Sequence, residues 1–306
     1  MIKTIGIRRE DKNCWEKRVP LIPEHIFSLV QGGVNVEIQP SKIRCFDDND
    51  FLKVGAKVKE DLSKCDFLIG VKEMPIDFIV PGKPHLFFSH TIKGQSSNMP
   101  LLKSFIDKKA TLIDYEKIVD DNNRRLIAFG YYAGQAGFID TIAALGKKWE
   151  LNNFKTPLSS LKYAHEYKNV EEAKEDLKRV GEELKRSGLP DGLDLVIAIV
   201  GYGNVSQGVQ SMISSLPIEK INPSDILEKN PKIAYSIFKE EDTVTPIDES
   251  KPFNLDDYYK NPHNYVSSFE KYIPHLSCVI NCIYWDVKYP RLVTKKKLKE
   301  LFTNDE

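Results

Sequence analysis

The sequence predicts an α/β protein made of two Rossmann-like domains with largely parallel sheets and an active-site cleft between the domains. In the first half, apolar strand-like runs alternate with helix-like segments, which is the pattern of a largely parallel sheet. In the second half, the apolar run 193–200 leads into the glycine-rich turn "GYGNVSQG" and then into apolar residues at helical spacing. The length of 306 residues is sufficient for two domains.

Turn and capping residues delimit the elements of the first half. Pro23 predicts the first turn of a helix, and the two glycines at 32–33 predict its end. Asp47 or Asp48 is expected to cap a short helix that runs through Val54. Apolar or alternating patterns predict strands in the segments 2–7, 34–40, 66–75, 85–90, 110–118 and 124–130.

The middle of the chain carries the predicted domain boundary. Small and apolar residues at helical spacing predict a connecting helix over 133–148. The charged segment 169–187 predicts another helix, with opposite charges four residues apart. We therefore place the first domain at 1–135 and the second at 136–306.

Composition excludes several classes of protein. Lys plus Arg equals Asp plus Glu at 44 each, so the basic excess of a nucleic-acid-binding protein is missing. The sequence contains no run of about 18 apolar residues that would indicate a membrane span. The N-terminal residues become charged too early for a signal peptide, and five scattered cysteines fit reduced thiols. Together these features predict a cytoplasmic protein that acts on small molecules and binds neither nucleic acid nor membrane.

The glycine-rich turn is a candidate dinucleotide loop because it joins a strand to a helix. Gly201 would allow the tight turn, and Gly203 would let the backbone approach a pyrophosphate, whose charge the helix-start amides would bind. Ser206 takes the third position of the pattern, which needs a small residue for packing, and its hydroxyl is also within reach of a phosphate. A purely structural strand–helix turn is the alternative interpretation.

The residue after the second strand of such a domain usually distinguishes NAD from NADP. The expected strand lies in 218–225 and offers Asn222 or Ser224 where an acidic residue would bind the ribose of NAD. Lys220 is also near. This pattern favours NADP(H), with NAD(H) as the alternative.

Candidate catalytic groups follow two strands of the first half. Lys72 and His90 each come at the carboxyl end of a predicted strand, where ligands of parallel sheets bind. Glu73 and Glu116 are placed to tune their pKa values. Cationic side chains suited to substrate carboxylates are Arg18 and Lys93. For each of these residues the alternative is a solvated or purely structural role.

Six segments occurring in one order carry a family resemblance. They are "IGIRREDKNCWEKRVPLIPEHI", "LIGVKEMP", "FFSHTIKGQ", "RRLIAFGYYAGQAG", "GYGNVSQG" and "VINCIYWDVKYPRLVT". Together they resemble lysine-forming saccharopine dehydrogenase and the lysine–ketoglutarate reductase part of the bifunctional lysine-degrading enzyme. Both are similar to alanine dehydrogenase and to the N-terminal part of transhydrogenase.

The resemblance implies a reversible reductive condensation of L-lysine with 2-oxoglutarate to saccharopine, with NAD(P)H as the reductant. It implies an N-terminal catalytic domain and a C-terminal cofactor domain. In the family's motifs Lys72 and His90 match the acid/base pair, and Glu73 and Glu116 match the glutamates that adjust it. Substrate carboxylates would contact Arg18, Lys93 and Arg125. The residues expected to bind the cofactor are Gly201, Gly203, Asn204, Val205, Ser206 and Asn281.

The sequence departs from the family pattern in one respect, and two alternative functions are compatible with it. Family members continue beyond the "YW…PRLVT" segment, so we expect the cofactor domain to be truncated at its C-terminus, and a homo-oligomer is left open. The first alternative is an amino-acid dehydrogenase of alanine-dehydrogenase type. The second is a non-catalytic nucleotide-binding regulator or subunit.

Overall fold

A computed structural model describes residues 3–284 and 286–303 of the chain. The chain divides into two compact units between Ala128 and Phe129. The boundary predicted after residue 135 therefore lies inside helix α4 (Gly130–Leu151), which belongs to the second unit. In the part of the chain that the structure describes, none of the helices combines the length and the apolar character that crossing a membrane requires.

The first unit is built on a six-stranded sheet in which every pairing is parallel, in the order β3-β2-β1-β4-β5-β6. This confirms the predicted α/β class. The strands and helices are β1 (Thr4–Ile7), α1 (Pro23–Gln31), β2 (Asn35–Ile38), α2 (Asp48–Lys53), β3 (Lys57–Val58), β4 (Phe67–Ile69), β5 (Pro84–Phe87), α3 (Met99–Asp107) and β6 (Thr111–Asp114).

Local sequence signals locate two of these helices closely. Helix α1 starts at Pro23, as predicted, and the chain leaves it through Gly33, whose φ of 83° suits a glycine. Asp47 is the N-cap of α2: its backbone N–H donates to Asp50 Oδ2 at 3.2 Å, and its carbonyl oxygen accepts the N–H of Asp50 at 3.0 Å. Both helix predictions are confirmed.

The predicted strand at 124–130 is wrong. Only Arg125 forms a bridge there, with Val119, and the segment is one arm of a tight turn. Asp120 holds that turn because its carboxylate accepts the backbone N–H groups of Asn122 and Arg124 at 2.9 and 2.8 Å. These local hydrogen bonds replace pairing with the main sheet.

The second unit contains a four-stranded parallel sheet and a two-stranded antiparallel ribbon. The sheet order is β12-β7-β9-β8, and β10 pairs with β11. The elements after α4 are α5 (Val170–Ser187), β7 (Leu195–Val200), α6 (Asn204–Ile213), β8 (Glu219–Lys220), α7 (Pro223–Lys229), β9 (Ile233–Phe238), α8 (Glu240–Thr243), β10 (Val244–Pro246), α9 (Leu255–Lys260), β11 (Tyr265–Ser267), β12 (Cys278–Asn281) and α10 (Lys295–Phe302).

The position predicted for the second strand of this sheet is wrong. Strand β8 does form within 218–225, but it lies at the sheet edge, so Lys220, Asn222 and Ser224 do not follow the neighbour of β7. That neighbour is β9, which pairs with β7 along its whole length. Strand β9 is apolar on both faces whereas both residues of β8 are exposed, and an inner strand of a parallel sheet is covered on both sides.

Helices α4 and α6 pack against each other in backbone contact. A Cβ at Gly134 would lie 1.9 Å from the carbonyl oxygen of Val205, and one at Gly208 would lie 1.9 Å from that of Tyr131. No side chain fits at these two positions. The close packing of α6, the helix that begins at the glycine-rich turn, therefore depends on one glycine from each helix: Gly134 of α4 and Gly208 of α6.

We predict that Gly134→Ala destabilises the protein by about 3 kcal/mol, because overpacking forces the two backbones apart. Gly137→Ala on the same helix is the matched control, since nothing lies within 4 Å of its added Cβ. Alanine there should be neutral or stabilising by up to about 1 kcal/mol. Urea unfolding midpoints measure both effects, and equal midpoints for the two variants would contradict the packing account.

A histidine is fully buried in the core of the first unit. His85 on β5 accepts the backbone N–H of Val80 through Nε2 at 3.2 Å, and its Nδ1 lies 3.0 Å from the carbonyl oxygen of Lys83. Because a carbonyl only accepts, Nδ1 carries the proton and the ring is neutral. Burial lowers the pKa of His85 from 6.5 to about 4.

We predict that His85 makes the fold acid-sensitive. The unfolded state takes up the proton first, so this stability is present above pH 6.5 and is lost as the pH falls toward 4. The loss amounts to about 3 kcal/mol. Unfolding free energies against pH should fall less steeply for His85→Gln than for wild type, while His25→Gln on exposed α1 keeps the wild-type slope. Parallel slopes for wild type and His85→Gln would refute the prediction.

Candidate functional site

The carboxyl ends of three adjacent strands in the first unit bring the predicted catalytic residues to one edge of the sheet. Lys72 and Glu73 follow β4, His90 follows β5, and Glu116 follows β6. Since these strands are parallel neighbours, the residues after them meet at the same edge.

His90 is held by a carboxylate and an aromatic ring. Its Nδ1 lies 2.7 Å from Glu73 Oε1, and its ring stacks on Phe88 at a centroid distance of 6.4 Å. The backbone of His90 has φ 55°, a conformation that costs a non-glycine residue energy. With Glu73 ionised, His90 Nδ1 donates the hydrogen bond, which leaves Nε2 as the ring nitrogen that faces a substrate proton.

Glu73 is kept ionised by two partners. Lys12 Nζ lies 2.7 Å from its Oε2, on the side away from His90. Burial raises the pKa of the Glu73 carboxyl, but the hydrogen bonds from Lys12 and His90 outweigh burial and hold that pKa below its ordinary value. Glu73 therefore positions the imidazole as a carboxylate.

The main chain at Lys72 is hydrogen-bonded to a residue that the sequence analysis missed, Glu10. Buried Glu10 accepts the backbone N–H of Val71 at 2.7 Å and that of Lys72 at 2.9 Å. These bonds end β4 at Ile69, well before the limit predicted at residue 75. Burial raises the pKa of Glu10. A glutamate in a charged segment gives no sign that its partners are amides more than sixty residues away.

Arg18 is paired with a buried acid. Its Nε and Nη2 donate to the two carboxylate oxygens of Glu16 at 2.7 and 2.6 Å. Burial raises the pKa of Glu16, but Arg18 outweighs it, with a smaller contribution from Lys72, so the pKa lies below its ordinary value. The charge spacing of "EDKNCWEKR" could have indicated that Lys12 and Glu16 belong to this cluster.

The structure brings together three further predicted residues around one buried carboxylate. Glu116 Oε1 lies 2.7 Å from Arg125 Nη2 and 3.6 Å from Lys93 Nζ. Asp114 fixes this turn by accepting the N–H groups of Glu116 at 2.8 Å and of Ser89 at 3.1 Å. Two cations facing a single anion leave a net positive charge, which suits an acidic substrate.

The glycine-rich loop of the second unit borders a pocket of about 340 Å³. Gly201 has φ 100°, and a Cβ there would lie 2.9 Å from the side chain of Ile283. Around Gly203 the space is open. This matches what a dinucleotide loop requires, a glycine for the turn and a second one that lets a phosphate approach the backbone.

The remaining loop residues have different surroundings. Asn204 and Val205 begin α6, where backbone N–H groups lack intrahelical partners. Ser206 is fully buried, and its Oγ accepts a hydrogen bond from Gln210 at 3.1 Å, so its side chain packs inside the unit. Asn281 ends β12 and accepts the backbone N–H of Ile283 at 3.2 Å.

Residues that the sequence analysis missed form the other walls of this pocket. Gly201 N–H donates to the carbonyl of Phe238 at 2.8 Å, so Lys239 and Glu240 come directly after the strand beside the loop. Aromatic residues from the segment between β9 and β12, and from the chain after β12, also face the pocket: Tyr258, Tyr259, Tyr284 and Tyr289. Tyr284 and Tyr289 lie within the last of the six segments that carry the family resemblance, whereas Tyr258 and Tyr259 lie outside all six.

Comparisons with known proteins agree with the motifs. The family model "Alanine dehydrogenase/PNT, N-terminal domain" matches residues 6–136. The chain is 37% identical to an alpha-aminoadipic semialdehyde synthase of Arabidopsis thaliana, over 97% of this chain and 30% of that protein. A mitochondrial protein of the same name from Rattus norvegicus is 34% identical, over 97% of this chain and 33% of its own length. The chain thus spans about a third of these two relatives.

A shorter relative and two solved structures are also similar. A saccharopine dehydrogenase (NAD(+), L-lysine-forming) of Emericella nidulans is 28% identical, over 96% of this chain and 70% of that protein. An L-alanine dehydrogenase structure matches with a TM-score of 0.60 at 16% identity, covering 97% of this chain and 71% of its own. A transhydrogenase from Sinorhizobium meliloti matches with a TM-score of 0.50 at 13% identity, over 78% and 70%. These two likenesses show the fold.

Proposed function

Because residues 6–136 belong to the alanine dehydrogenase/PNT N-terminal domain family, and the chain is a relative of the saccharopine dehydrogenases and alpha-aminoadipic semialdehyde synthases, we propose that it is an oxidoreductase of lysine metabolism. The proposed reaction is the reversible reductive condensation of L-lysine with 2-oxoglutarate to saccharopine. The observation that carries this proposal is the acid/base cluster at the sheet edge, with Lys72 beside the Glu73–His90 pair.

The proposed chemistry needs proton transfers that these residues suit. The ε-amine of lysine attacks the keto carbon of 2-oxoglutarate, and His90 takes a proton from the attacking nitrogen through Nε2. Lys72 donates a proton to the former keto oxygen, which gives the carbinolamine. The protonated His90 donates the second proton to this oxygen, which departs as water and leaves a protonated imine. The reduced nicotinamide, when bound, would supply the hydride that converts the imine to the amine.

The substrate's carboxylates have cationic partners available. Arg125 and Lys93 share one buried carboxylate, Glu116, and so keep a net positive charge for an acidic substrate. Arg18 presents a planar guanidinium whose orientation is fixed by Glu16. A fixed guanidinium binds a carboxylate at low entropic cost. The dicarboxylate 2-oxoglutarate therefore suits this cluster better than a small monocarboxylate does.

NAD(P)(H) fits the pocket of the second unit, and we propose NADP(H) as the preferred form. Gly201 and Gly203 leave room for a pyrophosphate, and the start of α6 offers unpaired amides. Lys239 follows the strand next to β7, at the position that contacts the ribose 2′ group in this fold. A cation there favours a 2′-phosphate. A cytoplasmic location and homo-oligomer formation stay predictions.

We predict that the protein oxidises NADPH when both 2-oxoglutarate and L-lysine are present. Lys72→Met should lower kcat about a hundredfold or more, the usual range for losing a general acid. The Kd for NADPH should stay within about twofold of wild type. Lys117→Met is the matched control, an exposed lysine that follows β6, and it should keep the wild-type rate.

Other outcomes of this assay identify the alternatives. A wild-type rate in Lys72→Met would remove Lys72 from the mechanism. Turnover with pyruvate and ammonia, and none with lysine and 2-oxoglutarate, would show an alanine-dehydrogenase-type enzyme. Tight NADPH binding without turnover of either substrate pair would show a nucleotide-binding regulator.

A further inference from the structure

The segment between β9 and β12 places tyrosines against the glycine-rich loop. Tyr259 on α9 faces the same pocket as Gly203 and the residues that follow β9. Its hydroxyl donates a hydrogen bond to Glu240 Oε1 at 2.6 Å. Burial and then this bond raise the pKa of Tyr259, so the hydroxyl stays protonated and remains a donor across the physiological range.

Glu240 occupies a position that usually selects NAD. An acidic residue after the strand beside the glycine loop accepts the ribose hydroxyls and repels a 2′-phosphate. Here Lys239 and Glu240 both follow that strand and both line the pocket. The cation by itself would favour NADPH, whereas the carboxylate by itself would favour NADH. The neighbouring Asp242 is directed elsewhere, because its Oδ2 accepts the backbone N–H of Lys239 at 2.8 Å.

Tyr259 resolves this conflict by occupying one oxygen of the carboxylate. A glutamate that holds both ribose hydroxyls uses both of its oxygens, and the hydrogen bond from Tyr259 takes one acceptor site of Oε1 and ties the Glu240 carboxylate to α9. Lys239 is 59% exposed on its side chain, and among the residues that the structure describes its ammonium group forms one distant ion pair, 3.8 Å from Glu241 Oε1. Its ammonium group is therefore able to turn toward a 2′-phosphate.

We propose that Tyr259 is a specificity-determining residue, which disfavours NADH by withholding Glu240 from the ribose and so lets Lys239 select the 2′-phosphate of NADPH. This inference rests on the proposed nucleotide site and deepens it. In chemical terms, Tyr259 lies far from the glycine loop in sequence and sets the cofactor preference through its hydrogen bond to the carboxylate of Glu240.

The test measures Kd for NADPH and for NADH with the full chain and no substrate, by calorimetry. Tyr259→Phe removes only the hydroxyl. Releasing Oε1 of Glu240 should shift the ratio of the two affinities toward NADH by about tenfold, the effect of one hydrogen bond to a charged group. Tyr163→Phe, at a tyrosine of the same unit that does not line this pocket, should leave the ratio unchanged.

The pair of residues is tested by a double-mutant cycle. Adding Glu240→Gln to Tyr259→Phe should abolish the shift, because the amide cannot act as the acceptor carboxylate in either background. An unchanged ratio in Tyr259→Phe, or a shift that persists with Glu240→Gln, overturns the inference and leaves the proposed function standing. A shift as expected without enzymatic turnover supports the inference and overturns only the proposed reaction. Binding of neither nucleotide overturns both.

Discussion

Parallel pairing within each sheet is the constraint on which both candidate sites depend. In a parallel sheet every strand ends at the same edge, so residues distant in sequence become neighbours there. In the first unit this brings Lys72, His90 and Glu116 to one edge from three separate segments. In the second unit it sets Gly201 beside Lys239, because β7 and β9 are paired. The chemistry follows from which residues come next after each strand.

Buried or half-buried carboxylates then order the positive groups at the edge of the first sheet. Glu73 lies between Lys12 and His90, Glu116 is contacted by Arg125 and Lys93, and Glu16 binds Arg18. A charged side chain that is already held in one orientation loses less conformational entropy when it binds a ligand. Each of these pairings therefore fixes a basic or cationic group in place for an acidic substrate.

Sequence patterns predicted the features that depend on local physics. The start of α1 at Pro23 and the cap of α2 at Asp47 follow from backbone requirements of single residues. The glycine loop was identifiable because a strand, a turn and a helix are contiguous in the chain. The resemblance that the six motifs carry is supported by the family model that matches residues 6–136 and by the curated relatives.

Features that depend on distant pairing were not predictable in this way. Chain order suggested that the segment at 218–225 lies beside the glycine loop, but β9, whose residues are all buried or partly buried, takes that place and β8 lies at the sheet edge. Glu10 contacts amides of a remote strand, and Tyr259 reaches Glu240 from a separate helix. Such contacts depend on the assembled sheet, and no spacing rule encodes them.

The proposed reaction requires hydride to pass from the nicotinamide to the carbon that joins lysine to 2-oxoglutarate. NADPH that carries deuterium at the transferred ring position, incubated with the protein and both substrates, tests this requirement by mass spectrometry and NMR of the product. The expected product is saccharopine with a single deuterium on the former keto carbon. Unlabelled saccharopine, or oxidised cofactor without a lysine adduct, would contradict it.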